Sequence, residues 1–150
     1  MTERLSIAEK SLPIMLLRAR EAVMRRFRPM LKAHGLSEQQ WRVLRVLNEL
    51  GPTEPTTLAE ESVILMPSLT RILGHLEAGG LISRTRHEED GRRQIAELTG
   101  DGRSLIDRIA PESAAIYATI EAELGPGEIH AMMERLRRLT ADLGQDPHRG

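Results

Sequence analysis

The chain has 150 residues, 40% of them hydrophobic and 29% charged, with a formal net charge of −1 and no cysteine. That length suffices for one ordinary domain with its own core, and the composition is that of a globular protein, not of a disordered or membrane-spanning one. The missing thiols exclude disulfides, a thiolate metal site and a cysteine redox switch, and the near-neutral charge excludes a global basic footprint, so any nucleic-acid contact has to come from local clusters.

Residues 1–6 read as a loose tail. The apolar stretch Leu12 to Leu17 is broken by Pro13 and preceded by no basic cluster, so no signal peptide and a cytoplasmic location are expected. From about Ile7 to Lys32 one long helix is predicted, with a start after Pro13 as the alternative. On its wheel Met15, Leu16, Ala19, Val23, Met24, Phe27, Met30 and Leu31 share a side, while Arg18, Glu21, Arg25, Arg28 and Lys32 lie opposite. Arg20 falls inside the apolar stripe. A charge there is costly unless it is paired or reaches water, so it is either a salt bridge to a protein carboxylate or an anchor for a carboxylate ligand.

Ser37 and Gln40 have capping-box spacing and start a second helix, Glu38 to Leu50, with Val43, Leu44, Val46, Leu47 and Leu50 as its core stripe. Trp41, the single tryptophan, lies off that stripe with Arg45 and Asn48 near it. It either packs on the first helix or forms one wall of an aromatic-ligand pocket. Gly51-Pro52 ends the helix, and Thr57 with Glu60 repeats the capping-box spacing for a short helix through Ser62.

The next helix follows directly. Pro67 suits a first helical position, Leu65, Leu69, Ile72, Leu73 and Leu76 recur at core spacing, and Gly79-Gly80 supplies the left-handed stop. Its other side carries Ser68, Thr70, Arg71, Gly74 and His75. That small, polar face with one arginine is what a helix in the major groove presents, although most amphipathic helices with such a face are merely solvated. Two strands, Leu81 to Arg86 and Arg93 to Leu98, then flank an Asp90-Gly91 turn. Arg84, Arg86, Arg92 and Arg93 cluster there, and Asp90 is placed to orient Arg92 by a charge-assisted bond, so that an arginine at the tip enters the minor groove. Glu88, Glu89 and Asp90 offset part of that charge, which leaves a solvated turn as the plain alternative.

Two short helices, a Gly-Gly stop and a basic hairpin in this order describe a winged helix-turn-helix in a mainly α chain. The Asp90-x-Arg92 wing followed by Leu98-Thr99 resembles the MarR family of bacterial transcription regulators. The stretches Leu16 to Ala22, Phe27-Arg28-Pro29, Leu36 to Arg42 and Pro67 to Thr70 are similar to one branch, the repressors of homoprotocatechuate degradation operons. The resemblance spans about residues 10 to 143. It departs at the turn between the two short helices, which has Val63-Ile64 where a glycine is usual.

Beyond the wing, Thr99 caps a helix towards Leu124 with a kink or restart expected at Pro111, and with Leu105, Ile109, Ile116, Ile120 and Leu124 apolar. Gly125-Pro126-Gly127 breaks the chain. A last helix repeats Ile129, Met132, Leu136, Leu139 and Leu143 as a heptad-like seam, for intramolecular core or for a subunit interface. Gln145 to Gly150 should fray.

The expectation is therefore a single chain with residues 36–99 as the DNA-binding part and residues 7–35 and 100–144 as dimerisation helices. The partners implied are a palindromic double-stranded operator, a second copy of the chain and a small aromatic carboxylate inducer, with no membrane. DNA contacts fall to Pro67, Ser68, Thr70, Arg71, His75, Arg84, Arg86, Asp90, Arg92 and Arg93. The inducer falls to Arg20, His34 and Trp41, and the branch resemblance implies a hydroxylated phenylacetate. No cofactor or metal is expected, since His34, His75, His87, His130 and His148 are scattered. Catalysis is not expected either: the chain has no nucleophile elbow and no phosphate-binding glycine loop. A regulator of a stress or efflux regulon, and a helical adaptor for proteins, are the alternatives.

Overall fold

The computed structural model describes residues 10–86 and 93–144, which divide after Glu112 into two units. Among them the order is α1 (Leu12–Ala33), α2 (Glu38–Leu50), α3 (Pro55–Ser62), α4 (Met66–Ala78), β1 (Ile82–Arg86), β2 (Gln94–Leu98), α5 (Gly100–Leu124) and α6 (Glu128–Leu143). The tail at residues 1–6, the Asp90-Gly91 turn and the last six residues lie outside the described residues.

Ser11 caps α1 by accepting from the Ile14 N–H at 3.4 Å, so the helix does not run in unbroken from Ile7. Its predicted stripe splits in two. Phe27 and Leu31 are buried and Met24 and Met30 pack on the core, whereas Leu12, Met15, Leu16 and Val23 are exposed within this single chain. The Ser37 capping box is complete: the hydroxyl accepts from the Gln40 N–H at 3.1 Å and the Gln40 amide oxygen accepts from the Ser37 N–H at 3.0 Å. Val43, Leu44 and Leu47 are buried as expected, but Leu50 is exposed at the helix end.

The short helix α3 starts at Pro55 with Glu54 at its N-cap, three residues ahead of the expected Thr57 cap. Proline at the first position already has a helical φ and no N–H to satisfy, and it outcompetes a side-chain cap further in. Thr53 does what the sequence did not suggest. It forms a two-hydrogen-bond bridge with Ala96, each N–H donating at 3.0 Å, and so ties the α2–α3 connection to the wing strand. Helix α4 buries Leu69, Ile72, Leu73 and Leu76. Leu65, expected in that row, is the N-cap and stands in solvent, because the chain is extended there and its side chain leaves the helical register.

The strands pair antiparallel from Ile82↔Leu98 to Arg86↔Gln94, within a residue of the expected bounds. Burial falls along β1 from Ile82 to an exposed Arg86. The wing is thus rooted in the core at one end and wet at the other. Gly80 turns the chain into it at φ +74. Thr99 then caps α5, accepting from the Gly102 N–H at 3.1 Å while donating to the Gly80 carbonyl at 2.6 Å. A Cβ on Gly102 would lie 2.2 Å from the Leu81 carbonyl oxygen, so only glycine allows this close passage of helix and strand entry. Pro111 lies inside α5 and does not end it.

The core of the first unit gathers Leu31, Leu44, Leu58, Leu69, Leu73 and Ile109 around the helix-turn-helix. Truncating any of these to alanine costs about 2–5 kcal/mol. In the second unit α6 has no buried residue, and Met132, Met133, Leu136 and Leu143 stand exposed.

Candidate DNA interface and ligand cleft

The outer face of α4 follows from its register. With Leu69, Ile72, Leu73 and Leu76 turned inward, Pro67, Thr70, Arg71 and His75 are exposed and Ser68 is half-buried. Thr70 donates its hydroxyl to the Met66 carbonyl at 3.0 Å, which keeps both oxygen lone-pair sites for an outside donor. An added Cβ on Gly74 would meet nothing within 4 Å, so the face between Arg71 and His75 is open to close approach.

The hairpin arginines divide into two kinds. Arg84 is turned back onto α4, where its Nε and Nη2 donate to the two oxygens of Glu77 at 3.2 and 3.0 Å. That fork holds the Glu77 carboxyl below the usual carboxylate range, chiefly through the hydrogen bonds from Arg84. It also sets β1 against α4. Arg86 is exposed and forms no ion pair among the described residues. Arg93 reaches Glu54 at 3.4 Å with 62% of its side chain exposed, a loose pair screened by solvent. Asp90 and Arg92 lie outside the described residues.

A separate cleft of about 300 Å³ opens between α1 and α2, and Arg20 and Trp41 both line it. Trp41 is 8% exposed and belongs to the core, so one ring serves as packing and as wall. Arg20 donates to Glu38 at 2.6 Å and is still 45% exposed along its side chain. Glu38 also accepts from Arg28 Nε at 3.3 Å, and Arg28 forks onto Glu21 at 2.6 and 2.7 Å. Burial works to raise the Glu38 carboxyl, but the bonds and charge of Arg20 and the charge of Arg28 outweigh it and hold the group below its ordinary range. The salt-bridge alternative for Arg20 is thus present as an ion pair with Glu38, at the edge of the cleft.

His34 is not brought into that cleft. It pairs with Glu112 on α5. Arg42, Arg45 and Glu49 do line it, and the sequence reading gave none of them a site role. The signal was there: residues 38, 42, 45 and 49 follow Trp41's side of α2 at helical spacing. Their charges read as a solvated face because nothing local says that α1 passes above them. Among the described residues no group of histidines and carboxylates is arranged to hold a metal ion, and no helix is long and apolar enough to cross a membrane.

Comparison with known proteins shows the family of the chain. The family model described as MarR family matches residues 36–93, the segment from the residues leading into α2 to the residue before β2. The chain is 40% identical over 130 residues to the HTH-type transcriptional regulator FarR of Neisseria gonorrhoeae, covering 87% of this chain and 89% of that one. It is 39% identical over 131 residues to the homoprotocatechuate degradative operon repressor of Escherichia coli, covering 87% and 88%. Among solved structures, NadR in complex with 4-hydroxyphenylacetate superposes with a TM-score of 0.76 at 38% identity, covering 93% of this chain and 97% of that one.

Proposed function

The chain belongs to the MarR family, and from that premise we propose that it is a cytoplasmic, homodimeric repressor of an aromatic-acid degradation operon, released from its DNA by a hydroxylated phenylacetate. One α4 per subunit enters the major groove of a palindromic operator. Arg71 reads base edges there, and Pro67, Ser68, Thr70 and His75 fit the groove. Arg86, Arg93 and the tip residues Asp90 and Arg92 serve the adjacent backbone and minor groove. The exposed apolar residues of α1 and α6 are the dimer interface, since a single chain leaves them in water. It is a binding protein without a catalytic step.

The observation that carries the inducer is the meeting of Arg20 and Trp41, from two helices, in one cleft. The ring of an aromatic acid buries apolar surface against the indole, and its carboxylate competes with Glu38 for the Arg20 guanidinium in fork geometry. His34 remains available to a ring hydroxyl only if its pairing with Glu112 opens. The relatives named above, one a homoprotocatechuate operon repressor and one solved with 4-hydroxyphenylacetate, support this ligand class.

The test uses the single tryptophan. Titration with 4-hydroxyphenylacetate or 3,4-dihydroxyphenylacetate quenches Trp41 fluorescence and weakens binding to a duplex selected by the protein from a random-sequence pool. Arg20→Ala keeps DNA affinity and loses the response. An Arg20→Ala variant that titrates like the parent removes the anchor role and leaves the ion pair with Glu38 as the whole function of Arg20.

A further inference from the structure

We infer that Arg42 is the positioning residue through which an acid in the cleft acts on the recognition helix, by giving up its hold on the Val63 turn. This rests on the function proposed above.

The turn between α3 and α4 is strained in one place. Val63 sits at φ 55, ψ 53, and among the described residues it is the single non-glycine with positive φ. A β-branched residue is a poor occupant of the left-handed region, and 81% of Val63 is exposed, so side-chain packing does not hold it there. What holds it is backbone. The Val63 N–H donates to the carbonyls of Ala59 and Glu60, and Arg42 reaches across from α2 to donate through Nη1 to the Ser62 carbonyl at 3.1 Å and the Val63 carbonyl at 3.4 Å. Helix α4 begins three residues later at Met66. The direction in which α4 leaves the turn is therefore set by a residue that would relax elsewhere without its partners.

The same guanidinium lines the cleft with Arg20 and Trp41. Its Nε and Nη2 make no hydrogen bond among the described residues, and burial first, then the neighbouring Arg20 charge, disfavour its cationic form. A half-buried cation beside a second cation attracts a carboxylate strongly. An aromatic acid in the cleft thus meets a group with unused donors and an unfavourable charge environment. Drawing Arg42 towards the carboxylate lengthens its bonds to the two turn carbonyls. Val63 then leaves the left-handed region, and α4 loses the placement that fits the groove. The bistable element is one residue's backbone, and coupling between acid and DNA is reciprocal by linkage.

Four proteins test this: the parent, Arg42→Met, Val63→Gly and the double variant. Each is measured for affinity to the selected duplex by fluorescence anisotropy, with and without saturating 4-hydroxyphenylacetate, and for acid binding by Trp41 quenching. For the parent, the acid weakens DNA binding by a factor of roughly 5–150, the usual range of such coupling. Arg42→Met binds DNA about tenfold more weakly without any acid, and adding Val63→Gly restores most of that loss, since glycine adopts the left-handed turn unaided. Val63→Gly alone decides the case whatever Arg42→Met does to acid binding. It keeps an intact Arg42, still quenches with the acid, and loses most of the acid's effect on DNA. A Val63→Gly protein with the parent's acid effect overturns the inference, as does an Arg42→Met protein whose DNA affinity equals the parent's. A parent that does not respond to the acid at all refutes the proposed function itself, and this inference with it. That result is seen in the first protein, before any variant is read.

Discussion

Replacing Val63 with glycine also has a consequence for stability that follows from its backbone alone. The left-handed conformation costs an L-residue about 1–2 kcal/mol, with β-branched residues at the upper end. Glycine removes that cost but adds unfolded-state entropy of about 0.5–1 kcal/mol. The side chain contributes little in return, because Val63 is 81% exposed and makes no part of the core. The balance is a gain of about 0.5–1 kcal/mol. For a chain of this size that corresponds to a rise in Tm of roughly 1–4 °C. Urea unfolding followed by circular dichroism, at one fixed protomer concentration because a dimer's stability depends on it, reads the change as a shift in midpoint at unchanged slope. Val63→Ala serves as the control: it removes the branching but keeps a Cβ, and should fall between parent and glycine. A Val63→Gly protein less stable than the parent refutes the reasoning, for it would mean that the native turn is not strained at this residue. The opposite sign is expected at Gly80, where φ is +74 and alanine costs about 1 kcal/mol.

Arg71→Ala should cost about 1–3 kcal/mol on the selected duplex and relax its specificity, read by anisotropy against single-base variants. Arg86→Ala should weaken specific and random DNA alike and reduce the salt slope by about one unit, whereas Arg84→Ala should leave that slope unchanged because its guanidinium is committed to Glu77; equal slopes for the two variants would contradict the division of the wing arginines. The Ser62 hydroxyl is buried without a hydrogen-bond partner among the described residues, so Ser62→Ala should be neutral or stabilising by up to about 1 kcal/mol in urea. Because the Glu38 carboxyl is depressed in the folded chain, its contribution is fully present above the unfolded glutamate value of about 4.3 and is lost as pH falls through the lower folded value. Glu38→Gln should flatten that part of the stability–pH curve, and an unaltered acid slope would show that the carboxylate is not stabilised by its arginines. Leu136→Glu places a charge on the exposed apolar face of α6 and should yield a monomer at micromolar concentration by sedimentation; a stable dimer would remove α6 from the interface.

Most of the architecture was legible because it depends on near neighbours in the chain. The Ser37 capping box, the Gly80 stop, the Thr99 cap and the strands around the wing are set by residues within a few positions of one another, and each formed where the spacing predicted. The inward rows of α2 and α4 follow from helical period alone, and the outward row of α4 follows from them. Where local signals competed, the reading failed by small steps: Pro55 outranked the Thr57 cap, and Leu65 left the helical row at the N-cap. What the sequence could not contain was the partner across space. Whether Arg20 pairs with a protein carboxylate depended on where the first turn of α2 passes α1, and that crossing put Glu38 at 2.6 Å. Arg84 looked like its neighbours in the wing until the sheet was laid against α4 and Glu77 came within reach. The bridge between Thr53 and Ala96, and the reach of Arg42 to the Val63 turn, join residues tens of positions apart. Such contacts follow from the summed burial of the core, which fixes how elements cross, and no local pattern of residues encodes that sum.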